Sequence, residues 1–126
     1  MRFPIEPQVS LQIFSPEHKY VSFFLVLIMK EIIFLVRAKP PKKWAAIFPD
    51  GKRVSFGAAG YEDYTMHHDK TRMERYIMRH KKRENWDNPR TAGFWSRWLL
   101  WSKPTMKAAI KETERRLKYK VRFLDR

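Results

Sequence analysis

Apolar positions follow three patterns along this chain. Val21 to Val36 is a nearly continuous run, VSFFLVLIMKEIIFLV, interrupted by Lys30 and Glu31. Residues 44–48 are a short continuous apolar stretch, residues 52–57 alternate with period two, and from Asp69 onward apolar positions recur at three- and four-residue intervals. Phe, Val and Ile favour strands, and Ile32–Arg37 leads into the turn signal Lys39-Pro40-Pro41-Lys42, so it is expected to be the first strand. Lys43 to Phe48 is the second. It is closed by Pro49-Asp50-Gly51, where Pro presets φ and Gly accepts a positive φ. Lys52 to Gly57 is the third, with Val54 and Phe56 alternating against Arg53 and Ser55. Gly57 and Gly60 then end the sheet, giving a three-stranded antiparallel meander.

The second half reads as helical. Asp69 can cap a helix running to about Lys82, with Met73, Tyr76, Ile77 and His80 on one face. Arg72, Arg75, Arg79 and Lys82 form another row. Asn85 to Pro89 breaks the pattern. Thr91 is expected to cap a short helix, Ala92–Trp101. Ser102 is expected to cap a third through its first-turn Pro104, with Met106, Ile110, Thr113 and Leu117 facing inward. The stretch Tyr119 to Leu124 alternates apolar and basic residues, which fits either a last strand or a helix tail. The fold class is α+β: a small meander packed with two or three helices, preceded by an extended, partly apolar N-terminal arm. The domain boundary falls at residue 30, with the arm at 1–30 and the domain at 31–126.

The arm holds Pro4, Pro7 and Pro16 and no sustained periodicity. Its apolar end bears on whether the chain crosses a membrane. As a helix, Val21–Val36 would reach about 25 Å against a hydrocarbon core of about 30 Å, with a charged pair inside it. If it did span, Arg37, Lys39, Lys42 and Lys43 would place the following module on the cytoplasmic or interior side. The run reads as a poor secretory signal, since the charged amino-terminal region is weak and no small-x-small cleavage site follows. Giving Ile32–Val36 to the sheet leaves Val21–Met29, a strand or part of an anchor, too short to cross a bilayer alone as a helix. It suits an arm that docks on a neighbouring subunit or an inner membrane.

Charge separates the two parts. The chain has 27 Lys+Arg against 13 Asp+Glu, a formal net charge of +14. Residues 1–36 carry three basic and three acidic residues, so the entire net charge lies on residues 37–126. Such a module is drawn to polyanions with strong salt dependence. Aromatics make up 15% of the chain, enough for a small packed core rather than a disordered basic tail. The absence of Cys excludes disulfides, thiolate zinc sites and cysteine nucleophiles, and fits a reducing compartment.

No catalytic constellation stands out. His67, His68, Asp69 and His80 are zinc-competent residue types, but adjacent histidines point apart and the spacing matches no closed ligand set. Nor do the strands supply the second ligand of a ββα metal nuclease. No Gly-rich phosphate loop follows a strand. The expectation is a non-enzymatic chain without cofactor or metal. The candidate polyanion or partner contacts are Arg72, Arg75, Arg79, Lys81, Lys82 and Arg83, which concentrate on one helix and its end, together with Arg97. The Trp-rich run supplies core or interface aromatics: Phe94, Trp95, Trp98 and Trp101, with Trp86 before it.

Several segments carry a resemblance: Phe48-Pro49-Asp50-Gly51-Lys52, Ser55-Phe56-Gly57-Ala58-Ala59-Gly60-Tyr61-Glu62-Asp63-Tyr64-Thr65, Arg75-Tyr76-x-x-Arg79-His80, Glu84-Asn85-Trp86, and Ala92-Gly93-Phe94-Trp95-Ser96-Arg97-Trp98-Leu99-Leu100-Trp101. Across about residues 32–117 the chain resembles an uncharacterised family of small basic proteins encoded by nucleocytoplasmic large DNA viruses of algae and amoebae. The resemblance implies a viral source and favours a virion role, and residues 1–30 fall outside it. The leading expectation is a minor capsid protein made in the host cytoplasm and placed on the interior side of the capsid. It would bridge the major shell to other capsid proteins or the inner viral membrane. The alternative is a basic nucleic-acid-binding protein that packages or condenses viral DNA.

Overall fold

The computed structural model describes residues 23, 25, 27 and 30–124. Of the arm expected over residues 1–30, residues 1–20 and most of Val21–Met29 lie outside them. Of that segment Phe23, Leu25 and Leu27 are helical and exposed. A turn at Lys30-Glu31 leads into the first strand.

The strands are β1 (Ile32–Arg37), β2 (Lys42–Ile47), β3 (Arg53–Ala58) and β4 (Lys120–Phe123). The helices are α1 (Tyr64–His67), α2 (Lys70–His80), α3 (Ala92–Trp95) and α4 (Met106–Arg115), and a π-helical turn at Ser96–Leu100 continues α3. The α+β class therefore holds, with one correction: the sheet has four strands, in the order β3-β2-β1-β4. β1, β2 and β3 form the antiparallel meander, while β4 adds parallel to β1 with Ile33 opposite Val121 and Leu35 opposite Phe123. The ambiguous last segment is a strand because it has a partner. Residues 59–119, which include all the described helices from α1 to α4, form the crossover that a parallel addition requires.

Cross-strand partners share a face, so the register sorts the sheet. Ile33, Leu35, Ala46, Val54, Phe56 and Val121 are buried and pack with Phe94, Trp95, Leu99 and Leu100 into one core. Ile32, Phe34, Val36 and Ile47 lie on the second face and are half-buried. Trp95 is fully buried at the centre. Its ring stacks on Phe56 with centroids 5.7 Å apart and meets Phe48 and Phe94 edge-on, and its indole N–H donates to the Pro89 carbonyl at 2.7 Å.

Two helix boundaries differ from expectation. The helix expected over Ala92–Trp101 is correctly capped, by the Thr91 hydroxyl accepting from the Phe94 amide at 3.3 Å. It widens after Trp95, however, because both Phe94-Trp95 and Leu99-Leu100 must face the sheet. Pairs five residues apart share a side in a π turn better than in an α-helix. The next helix is capped by Thr105, whose hydroxyl accepts from the Ala108 amide at 3.2 Å, and not by Ser102. Ser102 instead donates its hydroxyl to the Trp98 carbonyl at 2.6 Å, and a residue preceding proline, here Lys103, is disfavoured from the helical region. Among the described residues no helix is long and apolar enough to cross a membrane.

Candidate functional site: a cationic helix beside an aromatic cleft

Helix α2 starts where the sequence places it. The Asp69 carboxylate accepts from the Thr71 and Arg72 amides at 2.9 and 3.3 Å. The helix ends at His80, so Lys81, Lys82 and Arg83 lie in the turn that follows rather than on the helix. Its inward face is built on Tyr76, which is buried and stacks on Trp101 (centroids 4.6 Å apart) and on His80 (4.2 Å). Trp86 lies nearly parallel to Tyr76 at 6.5 Å. Burial, reinforced by the Glu84 carboxylate, pushes the Tyr76 phenol well above the usual tyrosine range.

The outward face of α2 and the turn that follows it are cationic. Arg75, Arg79, Lys81, Lys82 and Arg83 are exposed, and none forms an ion pair among the described residues. Glu74 is the single acidic residue on the helix. Arg72 differs from this row: its guanidinium donates to Glu62 at 3.1 Å.

Arg97, grouped with these cations from sequence, sits elsewhere and does something else. It is half-buried. Its guanidinium lies 4.1 Å from the Trp98 ring centroid and 5.3 Å from that of Trp86, and donates to the Trp101 carbonyl at 3.0 Å. Arg116 covers Trp98 as well, 3.3 Å from its centroid, while donating to the buried Glu112. Burial and then the Arg116 charge draw the Arg97 cation below its usual range. These residues form a cation–aromatic stack. Of the candidate aromatics, Phe94 and Trp95 are core, whereas Trp86, Trp98 and Trp101 are partly buried. Their rings are engaged by Tyr76, Arg97, Arg116 and His67.

The histidines have separate roles. His67 Nδ1 accepts from the Asp69 amide at 2.9 Å, and its ring packs on Tyr64 and Trp101. His68, at φ 58°, places Nδ1 2.6 Å from the Pro104 carbonyl, tying the α1–α2 junction to the start of α4. His80 pairs with Glu84 at 2.7 Å. Among the described residues no group of three His, Asp or Glu side chains is placed to hold a metal ion.

Between α2, the end of β3 and the start of α3 lies an open cleft of about 460 Å³. Sequence reasoning missed it, because its walls come from four separated segments. Two glycines in its wall are closely packed against neighbouring side chains. Gly57 has φ +77°, and a Cβ there would meet Leu100 Cδ1 at 3.0 Å and Lys43 Cβ at 3.1 Å. At Gly93 a Cβ would come within 2.9 Å of Glu84 Oε1, the atom that accepts from the Trp86 indole N–H. The Lys43–Asp63 ion pair, at 2.6 Å, lines this cleft and also a neighbouring one of about 410 Å³ bounded by Trp44, Met66 and Met106.

Residues 36–80 of the chain match a family of unknown function (DUF5754). The matched stretch runs from the end of β1 through α2 and includes Lys43, Asp63, Arg72, Tyr76 and Arg79; it excludes the Trp-rich run and β4. No curated protein and no solved structure matches the chain.

Proposed function

We propose that this chain is a structural component of a virus particle, a minor capsid protein that seats its cationic α2 face on acidic surfaces of the shell. The observation that carries the reading is the set Arg75, Arg79, Lys81, Lys82 and Arg83, exposed on α2 and the turn after it and without ion-pair partners among the described residues. Exposed cations left without internal partners, on a module that holds the whole net charge of +14, are available to an external anionic surface. The viral setting rests on the resemblance of residues 32–117. Nucleic acid is the rival polyanion and would use the same side chains as phosphate contacts. The aromatic rings favour the protein partner: Trp86, Trp98 and Trp101 are already covered by rings and guanidinium groups, so they offer little platform for stacking bases.

Cross-linking mass spectrometry of intact particles tests this reading. Links from Lys81 or Lys82 to shell proteins, at a copy number that repeats with the shell lattice, are expected. Links confined to genome-associated proteins would replace the capsid role with packaging, and absence from purified particles would overturn both.

A further inference from the structure

We infer that the cleft beside α2 receives an acidic peptide segment of a partner protein, one carboxylate side chain entering between Lys42 and Arg79. This deepens the docking role proposed above, supplying a specific seat where the α2 face supplies only attraction, and it is independent of the viral setting.

The argument comes from which charges lining the cleft are committed. Three carboxylates contribute to its wall, and each is engaged: Asp63 by Lys43, Glu62 by Arg72, and Glu84 by His80. The cations Lys42 and Arg79 also line it, both exposed, and neither has an ion-pair partner among the described residues. The cleft therefore has cationic capacity left over and no spare carboxylate. Its apolar wall is the Tyr76–Trp101 stack with Leu100, suited to the methylene groups of a Glu or Asp side chain and the adjacent peptide backbone. A continuous phosphate backbone fits less well. Only Lys42 and Arg79 are left uncommitted among the cleft's described charges, enough for one carboxylate flanked by neutral residues but not for a run of successive phosphates. Outside the cleft, Arg75 and Lys82 continue the basic track along which further acidic residues of the same peptide would lie.

The test uses the full chain, a fluorescently labelled Glu-rich peptide interspersed with Gly and Ser, and a DNA duplex of matched charge. Binding is read by anisotropy, and the site by indole and aromatic NMR shifts. Lys42→Gln with Arg79→Gln is compared with Lys52→Gln and Lys120→Gln, two exposed cations away from the cleft. Equal charge is removed in both, and circular dichroism checks that each variant folds. The expected result is peptide binding that shifts the Trp101 and Tyr76 resonances and weakens about tenfold in the cleft variant, as two exposed charge contacts predict, and no more than about twofold in the control. Equal losses in both variants would show attraction by net charge alone and overturn the inference. So would failure of the peptide to bind, or a duplex that binds more tightly with the same dependence on Lys42 and Arg79. If cross-links from Lys81 or Lys82 to shell proteins persist while the peptide result fails, the cleft assignment falls and the capsid reading stands.

Discussion

Replacing Asp63 with alanine is expected to cost more than any surface change on this domain. The carboxylate accepts from the Lys43 ammonium at 2.6 Å, from the Thr65 amide at 3.0 Å and from the Thr65 hydroxyl, and so both caps α1 and holds a lysine at the cleft wall. The Lys43 and Asp63 side chains are 14% and 5% exposed, so water cannot readily take the place of a lost partner. Stranding a buried charge costs about 3–5 kcal/mol, and a lost N-cap costs about 1 kcal/mol. The two overlap, because one side chain serves both roles, and a combined loss of about 4 kcal/mol is reasonable. That is a large part of the roughly 5–15 kcal/mol by which a domain is stable. Asp63→Asn keeps an oxygen for the Thr65 amide and loses only the charge, so it should cost about half as much. Lys43→Met combined with Asp63→Asn should regain most of the loss, since an apolar replacement for a buried ion pair is often neutral. Urea unfolding followed by tryptophan fluorescence gives these values, and the double-mutant cycle isolates the coupling. If Asp63→Ala costs less than about 1 kcal/mol, the pair behaves like a screened surface ion pair and the reasoning from burial is wrong.

Two further outcomes follow from local geometry. Thr105→Ala should lower stability by about 1 kcal/mol and the thermal midpoint by about 4–8 °C, while Ser102→Ala should do less; the reverse order by calorimetry would restore Ser102 as the cap. The Tyr76 phenol, raised in the fold, contributes stability that is fully present below the usual tyrosine range near pH 10 and is lost as pH rises through the folded-state value. One tyrosine equivalent should therefore stay un-ionised in an ultraviolet titration until alkaline unfolding, and Tyr76→Phe should remove that late step.

Features that depend on neighbouring residues were legible in the sequence, and features that depend on distant ones were not. β1 was placed correctly because its apolar residues run straight into a Pro-Pro turn. α2 was placed correctly because Asp69 precedes an i, i+3, i+4, i+7 face. β4 is hard to separate from a helix tail by sequence, since it is only four residues long and follows closely on α4; pairing with β1 decides it. The cationic row of α2 was visible as spacing, but Arg72 left it for Glu62, a residue outside the helix. Arg97, between Trp95 and Trp98, reads from sequence as a contact residue; Trp86 and Arg116, brought in from other segments, enclose it within the domain. The cleft had no signature, because no single segment contains more than a fraction of its wall.

The place of β1 in the sheet has a mechanical consequence. The strand that residues before Lys30 run into is not an edge strand: it is held by β2 on one side and β4 on the other. Tension along β1, entering through the preceding segment, would be shared by both ladders at once. An edge strand pulled the same way would have one ladder to resist it. A tether attached at this point passes force to the middle of the domain, and the Trp95-centred core must be sheared before the strand can leave.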